Sequence, residues 1–267
     1  MFVVKIPGIN GVEKTNGCEK AGNFIIKSLR DIFSNESGAQ INVDLLEIEE
    51  IHLDNKNLKL TNKLIYKNSF EIYETKPKVV FLGGDHSISY STTRAFLDYC
   101  DNSGKKPCLI VFDVNPNCMK FTGEANNFGW LRNLIEEGFP PENVLLVGIR
   151  NFYESELAFV KEKKIKILSL NSILLDIEGS CDLIMEFSNG KELYVSIDIG
   201  VIDPVFAPAV SYENRIGGLT SREFIYLIQR INKIINLRAM DIVEINPDKD
   251  IRERTVKLGA KILSEII

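Results

Sequence analysis

Apolar residues come along this chain in two rhythms that alternate. Short unbroken runs, such as Val79-Val80-Phe81-Leu82 and Cys108-Leu109-Ile110-Val111-Phe112, read as strands buried on both faces. Between them lie longer segments with helical spacing, as in Ile25, Ile26, Leu29 and Ile32. The pattern predicts strands over residues 2–6, 41–48, 79–82, 108–112, 144–149, 165–170, 193–199 and 238–245. It predicts helices over 21–33, 58–73, 88–99, 128–137, 154–164, 181–187, 221–235 and 252–267, with Gly138 and Pro140-Pro141 stopping the fourth. Eight strands interleaved with helices make a parallel sheet covered on both faces, an α/β fold. No Gly/Ser/Pro-rich linker divides the chain and no internal repeat shows, so residues 1–267 are expected to form one domain.

The polar residues cluster where strands end. Gly83-Gly84 closes one strand and allows close backbone approach, and Asp85-His86-Ser87 opens the next helix. Another strand runs into Asp113-Val114-Asn115-Pro116-Asn117, and a third into Ser196-Ile197-Asp198-Ile199-Gly200. In an open α/β sheet that edge is where ligands bind. Each Asp taken singly reads as a helix cap or turn residue. Together, Asp85, Asp113, Asp198 and His86 offer the mixture of imidazole and carboxylate that suits Mn²⁺, Zn²⁺ or Fe²⁺.

Composition narrows the partners. A net charge of −5 without an arginine- or lysine-rich face argues against a nucleic-acid surface. No apolar run has the length of a membrane span, and the start of the chain does not resemble a signal peptide. The five cysteines lack a Cys-x-x-Cys pair and read as buried thiols of a reducing cytoplasm.

The ordered set Gly83-Gly84-Asp85-His86-Ser87, Asp113 to Asn117, Ser196 to Pro204 with Ala207-Pro208, Gly217 to Glu223 and Glu244-Ile245-Asn246-Pro247 resembles the signatures of the arginase and agmatinase ureohydrolases. The resemblance runs nearly end to end. It implies a single-domain three-layer sandwich with an eight-stranded parallel sheet, assembled as a trimer or hexamer. It further implies two Mn²⁺ ions that activate a hydroxide for attack on a guanidinium carbon. Val256, Leu258, Ile262, Leu263, Ile266 and Ile267 on the closing helix are expected to exceed what one sheet face covers, which also favours an oligomer.

Departures from the family pattern fall at the metals. The resemblance implies two histidine and four aspartate ligands. His86, Asp113 and Asp198 match; Asn115 replaces a histidine, and Asn117 and Gly200 replace aspartates. The other histidine, His52, lies far from every signature and reads as a surface residue. Carried over, the family geometry puts one ion on His86, Asp113, Asp198 and, weakly, the Asn117 carbonyl. The second ion loses both private ligands, at Asn115 and Gly200. The expectation is at most one divalent ion, Mn²⁺ first, or none. Cys118 is either a thiolate ligand or an inert buried thiol.

Asn127 stands where the family has a further histidine. Glu223 is carried over as the carboxylate that stabilises a guanidinium; its other reading is a first-turn helix carboxylate. The resemblance implies that substrate selection lies in loops over residues 8–20 and 118–127, whose charges, Glu13, Lys14, Glu19, Lys120 and Glu124, select a ligand's far end or are simply solvated. Two functions follow. One is a catalytically silent relative with a binding or subunit role, alone or beside an intact paralogue. The other is a working single-metal hydrolase of a guanidino, amidino or amide C–N bond.

Overall fold

Eight strands pair in one sheet: β1 (Phe2–Ile6), β2 (Glu47–Glu50), β3 (Val79–Gly83), β4 (Pro107–Phe112), β5 (Val144–Val147), β6 (Lys166–Leu168), β7 (Glu192–Asp198) and β8 (Leu237–Val243). Their order is β2-β1-β3-β8-β7-β4-β5-β6, and every neighbouring pair is parallel. This computed structural model describes residues 1–11, 14–210 and 216–267; Glu13 of the first loop lies outside them.

Alternate strand residues feed two apolar layers. Cys108, Ile110 and Phe112 of β4 join one, with α1 (Ala21–Leu29), α7 (Ile177–Ser188), α8 (Ser221–Ile231) and α9 (Arg254–Ile266). Leu109 and Val111 join the other, with α2 (Leu58–Thr75), α3 (Ile88–Asn102), α4 (Trp130–Glu136) and α5 (Glu154–Glu162). The three-layer α/β architecture follows from that alternation in strands buried on both faces.

Several boundaries move for local reasons. The second strand was expected over 41–48, but Asn42 caps a one-turn 3-10 helix at Val43–Leu45 and the edge strand starts later. Ser169 caps a short helix, α6 (Leu170–Leu175), that apolar spacing hid inside a predicted strand and loop. β8 stops at Val243 because Glu244 takes a left-handed conformation, φ 66°. The surplus expected on the closing helix is absent: Val256, Leu258, Ile262, Leu263 and Ile266 are buried within the chain. That helix therefore supplies no argument for an oligomer.

The sheet order positions the site. β3, β8, β7 and β4 are consecutive neighbours, so the loops after them emerge side by side. The Gly83-Gly84 turn holds this edge together. Gly84 donates its N–H to Ile6 O (2.9 Å), and its carbonyl accepts from Glu244 N (2.9 Å). A Cβ on Gly84 would lie 2.1 Å from Gly8 O. Gly84→Ala must therefore push the first loop off the edge. We expect a loss of about 1–3 kcal/mol, read as a lower thermal midpoint; an unchanged midpoint would contradict the close approach.

Candidate metal centre

The residue after β4, the residue ending β7 and the third residue after β3 meet at one point. Ligand atoms of His86, Asp113 and Asp198 all lie within 4.8 Å of one another, and the three side chains are buried. Among the described residues no other such cluster of three His, Cys, Asp or Glu occurs. His86 Nδ1 is 2.9 Å from Asp113 Oδ2 and 3.7 Å from Asp198 Oδ2.

Each aspartate uses its other oxygen to shape its own loop. Asp113 Oδ1 accepts from Val114 N (2.5 Å) and Asn115 N (3.1 Å), and Asp198 Oδ1 accepts from Gly200 N (2.6 Å). These Asx turns aim both Oδ2 atoms at the imidazole. Asp85 differs. Its Oδ2 accepts from Asn10 N (2.7 Å) and Thr15 Oγ1 (2.8 Å), and its Oδ1 accepts from Ser87 N and Oγ. Both oxygens are committed to the first loop and the helix start, so Asp85 belongs to the scaffold.

The pocket demands positive charge. Burial opposes a charge on His86, but its hydrogen bonds with Asp113 and Asp198 and their negative charges outweigh burial, and the imidazole is pushed up to about 10. One divalent ion fits the same demand: an imidazole nitrogen and two carboxylate oxygens are a donor set for Mn²⁺, Zn²⁺ or Fe²⁺. Asn117 borders the point in a left-handed conformation, φ 55°. Its Nδ2 donates to Asp113 Oδ2 (2.5 Å) and lies 3.2 Å from His86 Nδ1. The amide thus faces the cluster with its nitrogen rather than the expected carbonyl, and a half-turn about its last torsion exchanges the two.

At the positions carried over for a second ion the oxygen atoms have partners within the chain. Asn115 Oδ1 accepts from Asn151 Nδ2 (2.9 Å), which turns the amide towards the following loop. Gly200 has no side chain, and its carbonyl accepts from Arg150 Nη2 (3.1 Å). Cys118 is inert: its thiol donates to Pro116 O (3.3 Å), and burial pushes its pKa far up.

Glu223 stands apart from the cluster. Thr220 Oγ1 accepts from Glu223 N (3.2 Å), and Glu223 Oε2 accepts from Thr220 N (2.8 Å), a capping box at the start of α8. The buried carboxylate beside His86 is instead Glu244, whose Oε1 accepts from His86 N (3.0 Å) and Asn127 Nδ2 (3.2 Å). Reasoning from sequence missed its role, although a Glu directly after a buried strand was the available signal. Trp130 was missed too; its ring centroid is 4.9 Å from that of His86.

Loop charges serve the scaffold or face outward. Glu19 Oε2 accepts from Gly17 N (2.7 Å), Glu124 Oε2 accepts from Asn62 Nδ2 (2.7 Å), and Lys14 and Lys120 are exposed. His52 is on the surface, as expected. Glu223→Ala should lower stability by about 0.5–2 kcal/mol, the range for a lost helix cap, and leave metal uptake unchanged. Loss of metal on this substitution would return Glu223 to the site.

A model of the Arginase family matches residues 1–267. The arginase of Staphylococcus aureus (strain MSSA476) is 26% identical over 247 residues, which span 84% of this chain and 80% of that protein. The formimidoylglutamase of Halobacterium salinarum is 25% identical over 256 residues, 94% of this chain and 81% of that protein. Among solved structures, formimidoylglutamase from Bacillus subtilis superposes with a TM-score of 0.88 at 21% identity, covering 99% of this chain and 84% of that one. Arginase from Bacillus cereus superposes with a TM-score of 0.82 at 19% identity, over 99% and 96%. These structural likenesses establish a single-domain α/β fold with an all-parallel eight-stranded sheet. With the family model extending over every residue, the chain belongs to the arginase family.

Proposed function

We propose that this chain is a ureohydrolase-family protein that holds one divalent ion, Mn²⁺ first, where the family resemblance implies two. On this reading it binds a small guanidino or amidino ligand without hydrolysing arginine or agmatine at a useful rate. The observation that carries the reading is the contrast between the two sets of positions. His86, Asp113 and Asp198 converge within 4.8 Å, whereas the Asn115 amide is turned to Asn151 and the Gly200 carbonyl to Arg150. Charge agrees, because two carboxylates balance one divalent ion.

The chain's own residues support binding better than turnover. A divalent ion, when bound, supplies Lewis acidity at the cluster. Glu244 sits beside the cluster, buried and with its backbone in the left-handed region, a strain that other contacts must hold in place. Its carboxylate suits the cationic end of an amidine. Asn127, hydrogen-bonded to Glu244, is an amide and cannot relay protons, a role that contributes about 10²–10⁴ in rate where a titrating group fills it. Assembly as a homo-oligomer, or with an intact paralogue, is part of the proposal on the family resemblance alone.

A second reading is an active single-metal hydrolase of a guanidino, amidino or amide C–N bond, and the placement of Glu244 against His86 favours it. Urea release from arginine and agmatine with Mn²⁺ supplied separates the two. The silent reading expects none above background; robust release would establish the second. Isothermal titration with Mn²⁺ should give no more than one ion per chain. The triple variant Asn115→His, Asn117→Asp, Gly200→Asp should take up two. Two tight sites in the unmodified chain would sink the one-ion reading.

A further inference from the structure

The loop that carries Asp113 is held from the side by the next loop along the sheet edge. After β5, Arg150 N and Asn151 N both donate to Val114 O (3.0 Å each), and Asn151 Nδ2 donates to Asn115 Oδ1 (2.9 Å). A further hold comes from Glu156, the third residue of α5, which is buried. Its Oε1 accepts from Cys118 N (2.9 Å) and its Oε2 from Tyr153 N (3.1 Å). The second bond ties down the start of α5, as a glutamate three residues past a helix cap does. The first reaches back 38 positions to Cys118, which lies in neither helix nor strand.

Asn117 stands directly before that pinned amide. It is buried, with φ 55°, a backbone conformation that a residue other than glycine keeps only where its surroundings hold it. The N–H of Cys118 belongs to the planar peptide unit that follows Asn117, so fixing its direction restricts the torsion leading into that plane. The side chain thus aimed puts Nδ2 2.5 Å from Asp113 Oδ2 and 3.2 Å from His86 Nδ1.

We propose that Glu156 is a positioning residue of the metal centre: by holding Cys118 N it keeps Asn117 left-handed, with its amide against Asp113 and His86. The proposal rests on the one-ion reading above for its purpose but not for its geometry. Without the clamp, the turn relaxes towards ordinary backbone and takes the amide away from the Asp113 oxygen that faces the cluster.

The test compares Mn²⁺ affinity across variants of the full chain by isothermal titration, with folding followed by circular dichroism. Glu156→Ala removes both acceptors and should bind Mn²⁺ about 10–100-fold more weakly, the usual effect of losing support behind a metal ligand. Glu223→Ala is the matched control. It also removes a first-turn glutamate that bonds the residue before its helix, but apart from the cluster, and should leave affinity unchanged. Wild-type affinity in Glu156→Ala would reduce Glu156 to a helix cap and overturn the proposal. Asn117→Gly takes φ 55° at no steric cost and removes the amide through which Glu156 acts. Adding Glu156→Ala to it should therefore cost no further affinity, and additive losses would also overturn the proposal. If Glu156→Ala does not fold, Glu156→Gln decides: it has the same size but one acceptor oxygen for two N–H groups, and wild-type affinity there counts against the clamp. Should wild type ignore Mn²⁺, amide hydrogen exchange separates the outcomes. Slow exchange at Cys118 N–H that speeds up in the folded Glu156 variant keeps the clamp and drops the one-ion reading. Fast exchange in the wild type, or no change in the variant, drops the clamp.

Discussion

Two buried carboxylates and an imidazole nitrogen, converging within 4.8 Å, favour a positive charge among them. The penalty for an uncompensated buried charge is several kcal/mol, a large fraction of the stability of an ordinary domain. A proton on His86 or a divalent ion meets the need, and the surrounding structure is arranged around that requirement. β3, β8, β7 and β4 lie side by side so that their loops deliver the three groups. Asx turns at Asp113 and Asp198 hold one oxygen of each and aim the other. The Gly83-Gly84 turn lets the first loop and Glu244 close on the same edge.

On the one-ion reading proposed above, the same constraint bears on the second set of positions, because carboxylates there without an ion would strand negative charge in the interior. Here the positions carried over for the second ion are neutral, Asn115 and Gly200, and one oxygen of each accepts from a neighbour, Asn151 or Arg150. Glu244 lies beside the one converging set of groups among the described residues, His86, Asp113 and Asp198.

Much of this was legible in the sequence because strands buried on both faces write unbroken apolar runs, and the turns after them must be polar. The runs at β3, β4 and β7 led directly to His86, Asp113 and Asp198. Less legible were elements decided by local hydrogen bonds. Ser169 and Asp176 cap helices that apolar spacing alone merges with a strand or a loop. Asp85 carries the same chemistry as Asp113, and only the placement of the first loop shows that its oxygens are already used. Glu223 and Glu244 both follow signature residues; a capping partner three residues back claims the first, and burial after a central strand assigns the second. Glu156 reads in the sequence as an ordinary first-turn helix acid, and only the fold brings Cys118 N to it.

The central claim is that the chain offers one cation position and that His86, Asp113 and Asp198 define it. Anomalous diffraction at the manganese edge, from crystals grown with Mn²⁺, tests it directly. The account predicts one anomalous peak per chain, within bonding distance of His86 Nδ1 and of both aspartates, with none beside Gly200. A pair of peaks separated by about 3.5–4 Å, the spacing of two-metal sites, or a single peak away from His86, would contradict it.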